Sequence, residues 1–131
     1  MSSLPYTITI PELSAIVVHA GLVPGVPLVE QQPDYMVRMR SINASTGPTH
    51  LIDQGTRWAE VYQASNATQR VIFGHDSRRR LQQDDKYLGL DTGAVYGDKL
   101  SAMIHYPNGT ETIASVQSAA YEHVNGVLLH S

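Results

Sequence analysis

The chain has 131 residues, of which 42% are hydrophobic and 16% are charged, a balance typical of one folded domain and not of a disordered chain. The net charge of −3 at pH 7 gives no general reason to expect nucleic-acid binding, so any anion site must be local. The absence of cysteine excludes disulfides and thiolate metal sites, and no apolar run approaches the length of a membrane-spanning helix.

The first third of the chain predicts two strands and one short helix. Residues 6–10 alternate as a half-exposed strand, whereas residues 15–18 are apolar throughout, as in a strand covered on both faces. His19 follows the second strand directly, where glycine and proline force the chain to turn. A helix is predicted over residues 34–42, with Asp34 as its N-cap.

The remainder predicts one more helix, a second buried strand and a closing hairpin. Residues 43–55 are interpreted as a loop, after which a helix begins at Thr56 as its N-cap, with Trp58 facing the core. Residues 71–73 form the second buried strand, which is followed by His75. The other segments are a polar, arginine-rich connection, a glycine-punctuated strand and a hairpin turn, at 77–86, 87–97 and 107–109. The predicted fold class is mixed α/β.

Both predicted buried strands lead into a histidine, and this is the first pointer to chemistry. In an open α/β sheet, ligands collect beyond the carboxyl ends of the strands, so neighbouring strands would place His19 and His75 on one rim. Neutral imidazole is a good ligand for Zn²⁺ and similar ions, but two histidines need further donors to hold a metal. The alternative is that each histidine is polar surface at the end of a strand.

Five motifs in order add a resemblance to a known family. They read VVHAGLVPGVPL, MR, GTRWAEVY, VIFGHDSRRRL and LGLDTGAVYGDKLSA, and they lie between residues 4 and 114. Together they resemble the C-terminal half of calcineurin-like metallophosphoesterases, above all symmetrical diadenosine tetraphosphatases and fungal zinc-dependent vacuolar endopolyphosphatases. The resemblance implies a sandwich of two mixed β-sheets flanked by helices, of which this chain holds the C-terminal half only. Residues 1–114 would belong to that domain, and residues 115–131 would form a tail of uncertain structure.

The resemblance also implies a metal site, of which this chain holds only a part. His19 and His75 match the histidines that bind the second ion of a two-metal centre, with Zn, Mn, Co or Fe as the divalent ions. Asp76 could hydrogen-bond a ligand histidine from behind or cap a turn. The family's D-x-H, G-D-x-x-D-x-G and G-N-H motifs are absent, so this chain would supply only part of one site and be inactive alone. Ser77 stands where many members of the superfamily carry another histidine.

Arginines near the histidines are the candidate substrate-binding residues. By resemblance Arg40 contacts a substrate phosphate, and Arg78 and Arg79 bind a polyanionic substrate, because guanidinium groups bind phosphate oxygens in pairs. Each could instead be a solvated surface arginine. The reaction implied is hydrolysis of a phosphoanhydride, first of inorganic polyphosphate, with a dinucleoside polyphosphate or a phosphoprotein as alternative substrates. A rival of another class is a non-catalytic relic that binds polyanions.

Two further expectations concern location and association. Three N-glycosylation sequons, at Asn43, Asn66 and Asn108, agree with the vacuolar lumen that the resemblance suggests, and the cytoplasm is the alternative. If half of the domain is missing, a buried strand should expose an apolar side chain or an unpaired edge, through which copies of the chain could associate.

Overall fold

In a computed structural model of the chain, residues 4–119 are described, together with two short strands at 123–124 and 127–128. From residue 120 onward, most of the predicted tail lies outside the described residues, the two short strands excepted. The predicted division of the chain at residue 114 stays a prediction. The order of elements is β1 (Thr7–Ile10), β2 (Ala15–Val18), α1 (Pro33–Arg38), β3 (Ser41–Asn43), β4 (Gly47–Thr49), β5 (Thr56–Arg57), α2 (Trp58–Gln63), β6 (Arg70–Phe73), β7 (Gln82–Asp84), β8 (Tyr87–Gly89), β9 (Lys99–His105), β10 (Glu111–Gln117), β11 (His123–Val124) and β12 (Val127–Leu128).

The central feature is a five-stranded mixed sheet in the order β1-β2-β6-β8-β7. Strands β2, β6 and β8 are parallel, and the outer strands β1 and β7 run antiparallel to their neighbours. A small antiparallel sheet, β4-β3-β5, and the hairpin of β9 and β10 complete the described fold, beside the short β11-β12 pair. The predicted mixed α/β class is confirmed. None of the helices among the described residues combines the length and apolar character that crossing a membrane requires.

The two faces of the central sheet are covered differently. On one face, Trp58 of α2 is 1% exposed and packs edge-on against Phe73, with ring centroids 4.8 Å apart. On the other face, a smaller apolar cluster joins Ile72 and Leu88 to Met103 of the hairpin. The expected exposure of the buried strands is therefore limited: Val17 is half-buried, whereas Val18, Ile72 and Phe73 are buried.

Neither predicted buried strand forms an edge of the sheet. Strand β2 lies between β1 and β6, and β6 lies between β2 and β8, so the edges are β1 and β7. The expectation of an unpaired edge on β2 or β6 was wrong, because β1 pairs with the second side of β2 and β8 pairs with the second side of β6. Self-association of the chain stays a prediction.

The first helix differs from its prediction at both ends. It begins at Pro33 after Gln32, because proline fixes φ near the helical value and needs no hydrogen-bond acceptor at that position. Asp34 is therefore not the N-cap, and its carboxylate pairs with Arg38 at 3.0 Å. The helix ends at Arg38, and the amide of Arg40 donates to the carbonyl of Thr49, so Arg40 leads into β3 instead of lying on the helix.

Non-local pairing explains the other differences. The predicted loop at 43–55 contains β4, which pairs with β3, and the predicted cap Thr56 lies in β5 on the other side of β3. The arginine-rich connection at 77–86 likewise contains β7, which pairs with β8. These strands are two or three residues long and polar, so their own sequence carries no strand signal.

Candidate metal and phosphate site

His19 and His75 meet at the carboxyl ends of β2 and β6. The two strands are parallel neighbours, and beyond them the amide of Gly74 donates to the carbonyl of His19 at 2.9 Å. The imidazole centroids lie 5.1 Å apart, with their planes inclined by 58°. The predicted shared rim is confirmed as geometry, while metal binding by these residues stays a prediction.

Close packing shapes the turn that follows His19. A Cβ atom added to Gly21 would lie only 2.6 Å from the Trp58 indole ring, so this position has room for glycine alone. The same indole anchors α2 in the core. The turn after β2, and with it the position of His19, is therefore fixed by packing against Trp58.

His75 occupies a strained turn that its neighbours hold in place. Its φ is +66°, and the amide of Asp76 donates to the carbonyl of Gly74 at 2.7 Å, which closes a three-residue γ-turn around the histidine. A positive φ is unfavourable for any residue with a Cβ, and strain of this kind is concentrated at functional sites. The carbonyl of His75 accepts a hydrogen bond from Arg40 Nη2 at 3.4 Å.

The ring of His75 is oriented by a backbone carbonyl. Its Nε2 lies 3.1 Å from the carbonyl oxygen of Arg38. Because a carbonyl oxygen only accepts, Nε2 must carry the hydrogen of this bond, and the Nδ1 lone pair of the neutral ring is left available. A histidine held in this way is prepared to bind a metal through its other nitrogen.

Burial lowers the pKa of His75 below its ordinary value of 6.5, and the positive charge of Arg40 and the neighbouring His19 lower it further. The hydrogen bond to Arg38 and the Asp76 carboxylate act in the opposite direction. The ring is therefore neutral at pH 7, the form that binds metals. Because the folded pKa is the lower one, this group stabilises the fold above the unfolded pKa, and that contribution is lost as the pH falls through the folded pKa.

Substitution of His75 by glycine tests the strain directly. We expect His75→Gly to be more stable than His75→Ala by about 1 kcal/mol, because glycine adopts positive φ without steric cost. The measurement is urea denaturation of the two variants. At Val29, which is 95% exposed in a short 3₁₀ turn, the same pair should show the opposite order. Equal ranking of glycine and alanine at both sites would contradict strain at His75.

Asp76 does not have the predicted contact with a ligand histidine. Its side chain is 4% exposed, and Oδ2 accepts a hydrogen bond from Arg79 Nη1 at 2.7 Å. Its Oδ1 has no hydrogen-bond partner among the described residues and lies 4.0 Å from Arg40 Nε. The carboxylate is drawn to the guanidinium because a charge-assisted bond is stronger than one to a neutral ring. The Arg38 carbonyl takes the orienting role expected of Asp76.

Arg79 is an internal clamp, and its predicted contact with a substrate stays a prediction. Besides Asp76, its guanidinium donates to the carbonyls of Arg40 and Ile52 at 2.8 Å each and to Ser41 Oγ at 3.1 Å. Its side chain is 17% exposed. With its N–H groups directed at protein acceptors, Arg79 ties the turn after His75 to the segment around β3 and leaves little for a ligand.

Two of the predicted phosphate-binding arginines, Arg40 and Arg78, lie at one cavity, while their contact with a substrate stays a prediction. Both line an open cavity of about 750 Å³, together with Arg80. Among the described residues, exposed Arg78 makes no hydrogen bond or ion pair, whereas Arg80 Nε pairs with Asp98 at 2.9 Å. Arg40 donates to the carbonyls of His50 and His75, so it connects the cavity to the histidine pair.

Sequence reasoning missed one segment of the cavity lining. Residues 50–53 form this segment, and His50 carries no motif that would have marked it. The Ile52 carbonyl accepts a hydrogen bond from Arg79, so a contact between residues distant in sequence holds this segment in position. Only a structure could have found these residues.

The described residues offer part of a metal centre. His19 and His75 can provide two nitrogen ligands, but no group of three or more histidine, cysteine, aspartate or glutamate side chains is placed to hold a metal among the described residues. Two-metal chemistry needs more ligands than this pair supplies. The histidine pair fits one side of such a centre and does not form the whole.

Comparison with known proteins finds two sequences and one solved structure that are similar to this chain. The chain is 46% identical over 46 residues to a symmetrical bis(5′-nucleosyl)-tetraphosphatase of Methylobacillus flagellatus, and 36% identical over 83 residues to one of Ralstonia nicotianae. These segments are 35% and 62% of this chain. A crystal structure described as a candidate diadenosine tetraphosphatase matches 89% of the chain with a TM-score of 0.77 and 38% identity. No family model matches.

The coverage of these relatives is partial. The matched residues span 17% and 28% of the two tetraphosphatases and 52% of the crystallised chain. The similarities support a metallophosphoesterase-like family and a diadenosine tetraphosphatase-like fold for the part that is matched.

Proposed function

We propose that the chain supplies one side of the active site of a metal-dependent phosphoesterase that hydrolyses a phosphoanhydride bond of a dinucleoside polyphosphate. The observation that carries this proposal is the meeting of His19 and His75 at 5.1 Å beside a cavity lined by arginines. The named activity of the relatives supports the same reaction class. The remaining metal ligands would come from a part of the protein other than the described residues.

Each residue of the site has a role in this proposal. His19 and His75 would hold a divalent ion, which supplies charge neutralisation and polarisation of a phosphoryl oxygen when it is bound. Arg78 and Arg40 would bind phosphate oxygens, because guanidinium groups match the geometry of phosphate. The Arg38 carbonyl and the clamp of Arg79 would keep the turn around His75 in position.

The choice of substrate departs from the first expectation. Inorganic polyphosphate was expected first, but both curated relatives are named for nucleosyl tetraphosphates, and neither name points to polyphosphate, zinc or a vacuole. The alternative substrate, a dinucleoside polyphosphate, therefore has the better support. A non-catalytic polyanion-binding module remains the second candidate, because the described residues provide only two metal ligands.

Titration with Co²⁺ tests the metal site. We expect the ring signals of His19 and His75 to broaden together in the NMR spectrum at Co²⁺ concentrations that leave His105 unaffected. The His75→Ala variant should remove the effect at His19, because one imidazole alone binds the ion weakly. His105 lies at the end of β9 in the hairpin, near Glu111, and serves as the internal control. Equal broadening of all three histidines would contradict a shared site and favour the non-catalytic module.

A further inference from the structure

We propose that strand β10 is an association surface, through which two copies of the chain pair edge to edge about a two-fold axis at Ala114. The partner is a second copy of this chain, and the product is a four-stranded antiparallel sheet in the order β9-β10-β10-β9. The inference assigns a surface to the self-association that the sequence predicts. It is independent of the proposed function, because it uses neither the histidine pair nor the cavity.

Strand β10 has an edge with free backbone groups. It pairs with β9 in one unbroken register, and the amides of Tyr106 and Ser118 donate to the carbonyls of Thr110 and Asp98 at the two ends of this ladder. Hydrogen-bonded and non-hydrogen-bonded pairs alternate in an antiparallel ladder, so the even-numbered residues of β10 bond to β9. The N–H and C=O groups of its odd-numbered residues, 111 to 117, therefore point away from β9. Among the described residues no strand other than β9 pairs with β10.

The other edges in the described part of the chain are less suited to pairing. The outward edge of β9 is closed at its start, because the Lys99 amide donates to the Thr92 carbonyl at 3.3 Å and the Thr92 hydroxyl donates to the Lys99 carbonyl at 2.7 Å. The edge strands β1, β4, β5 and β7 have two to four residues, against seven in β10. A long exposed edge without proline or lysine is a template for another strand, and the sequence of β10, ETIASVQ, contains neither residue.

The sequence of β10 is complementary to itself in this orientation. With Ala114 opposite its own copy, Ile113 lies opposite Ser115 of the second copy, and Glu111 lies opposite Gln117. Each odd-numbered residue then meets another odd-numbered residue, so all the outward backbone groups of β10 gain partners. The only charged residue of the strand, Glu111, lies opposite a neutral residue, and the repulsion of like charges across the new ladder is avoided.

Pairing would also join the exposed faces of the two hairpins. Leu100 and Val116 are cross-strand neighbours and are 61% and 64% exposed, and Ile104 and Thr112 are exposed in the next-but-one pair. In the proposed register Val116 lies opposite Thr112 of the second copy, so one uncharged row of Leu, Val, Thr and Ile crosses all four strands. Such cross-strand contacts stabilise a sheet, and exposed apolar surface of this kind favours association.

Sedimentation of the whole chain across the micromolar concentration range tests this inference. We expect the mass to rise from one copy to two. Ala114→Lys should raise the dissociation constant by about tenfold or more, because it sets two lysines against each other at the axis. Ala102→Lys, at the cross-strand neighbour on the same exposed face, is the matched control and should change it much less. Mixing the Ala114→Lys and Ala114→Glu variants, each monomeric by itself, should restore the dimer.

Amide hydrogen exchange distinguishes edge pairing from stacking of the exposed faces. In the dimer the outward amides of Ile113 and Ser115 should become protected, whereas the Ala114 amide, which already bonds to β9, serves as the internal control. Circular dichroism of each variant checks the fold. A monomer at every concentration, assemblies of more than two copies, equal effects of lysine at 102 and 114, or outward amides that stay unprotected in the dimer would each overturn the proposal.

Discussion

Replacement of Arg79 by alanine is expected to lower the free energy of unfolding by about 3–5 kcal/mol, because the buried Asp76 carboxylate loses its hydrogen-bond donor and keeps only Arg40 at 4.0 Å among the described residues. The Asp76 side chain is only 4% exposed, and its bond to Arg79 is 2.7 Å long. The same substitution also removes the donors for the carbonyls of Arg40 and Ile52. Domains of this kind are stable by only about 5–15 kcal/mol, so much of the protein's stability would be lost.

Urea denaturation measures this effect against a neighbouring arginine. Arg78→Ala is the matched control, since exposed Arg78 has no partner among the described residues and should change stability by less than about 0.5 kcal/mol. In a double-mutant cycle, Asp76→Ala should cost less in the Arg79→Ala background than in the unaltered chain. Equal effects of the Arg78 and Arg79 substitutions would show that the clamp is not a stabilising element.

Loss of either histidine is expected to reduce hydrolysis of diadenosine tetraphosphate by about 100-fold or more, because a metal ion contributes several kcal/mol to the transition state. The experiment uses a chimera in which this chain replaces the matching segment of a symmetrical tetraphosphatase. By itself, with Zn²⁺, Mn²⁺ or Co²⁺ added, the chain should show no turnover above the metal-only background, since its described residues provide only two metal ligands.

The control for this experiment is another histidine of the same chain. His105→Ala removes an exposed imidazole on the hairpin and should leave turnover of the chimera unchanged. A folded chimera that remains active after His19→Ala and His75→Ala would refute the metal role of the pair. Strong metal-dependent turnover by the chain alone, abolished by His75→Ala, would refute its dependence on ligands from elsewhere.

Local signals predicted the centre of the fold and the histidine pair. The apolar runs before His19 and His75 are typical of strands covered on both faces, and both form internal parallel strands. Because parallel neighbours end at the same edge, the two rings meet once β2 and β6 pair, and that pairing was the condition of the prediction. Local signals do not explain Gly89, which is required because a Cβ there would lie 2.8 Å from the Phe73 ring.

The sequence by itself determined the mixed α/β class, the two buried strands and the position of the histidines, because hydrophobic periodicity is a local property of the chain. Only the tertiary structure decided which arginine is a clamp and which faces the cavity. Arg78 and Arg79 are adjacent and chemically identical, and their roles differ because Asp76, Ser41 and the Ile52 carbonyl surround one of them. Contacts between residues distant in sequence, such as Arg79 and Ile52, leave no periodic signal, so only the packed fold reveals them.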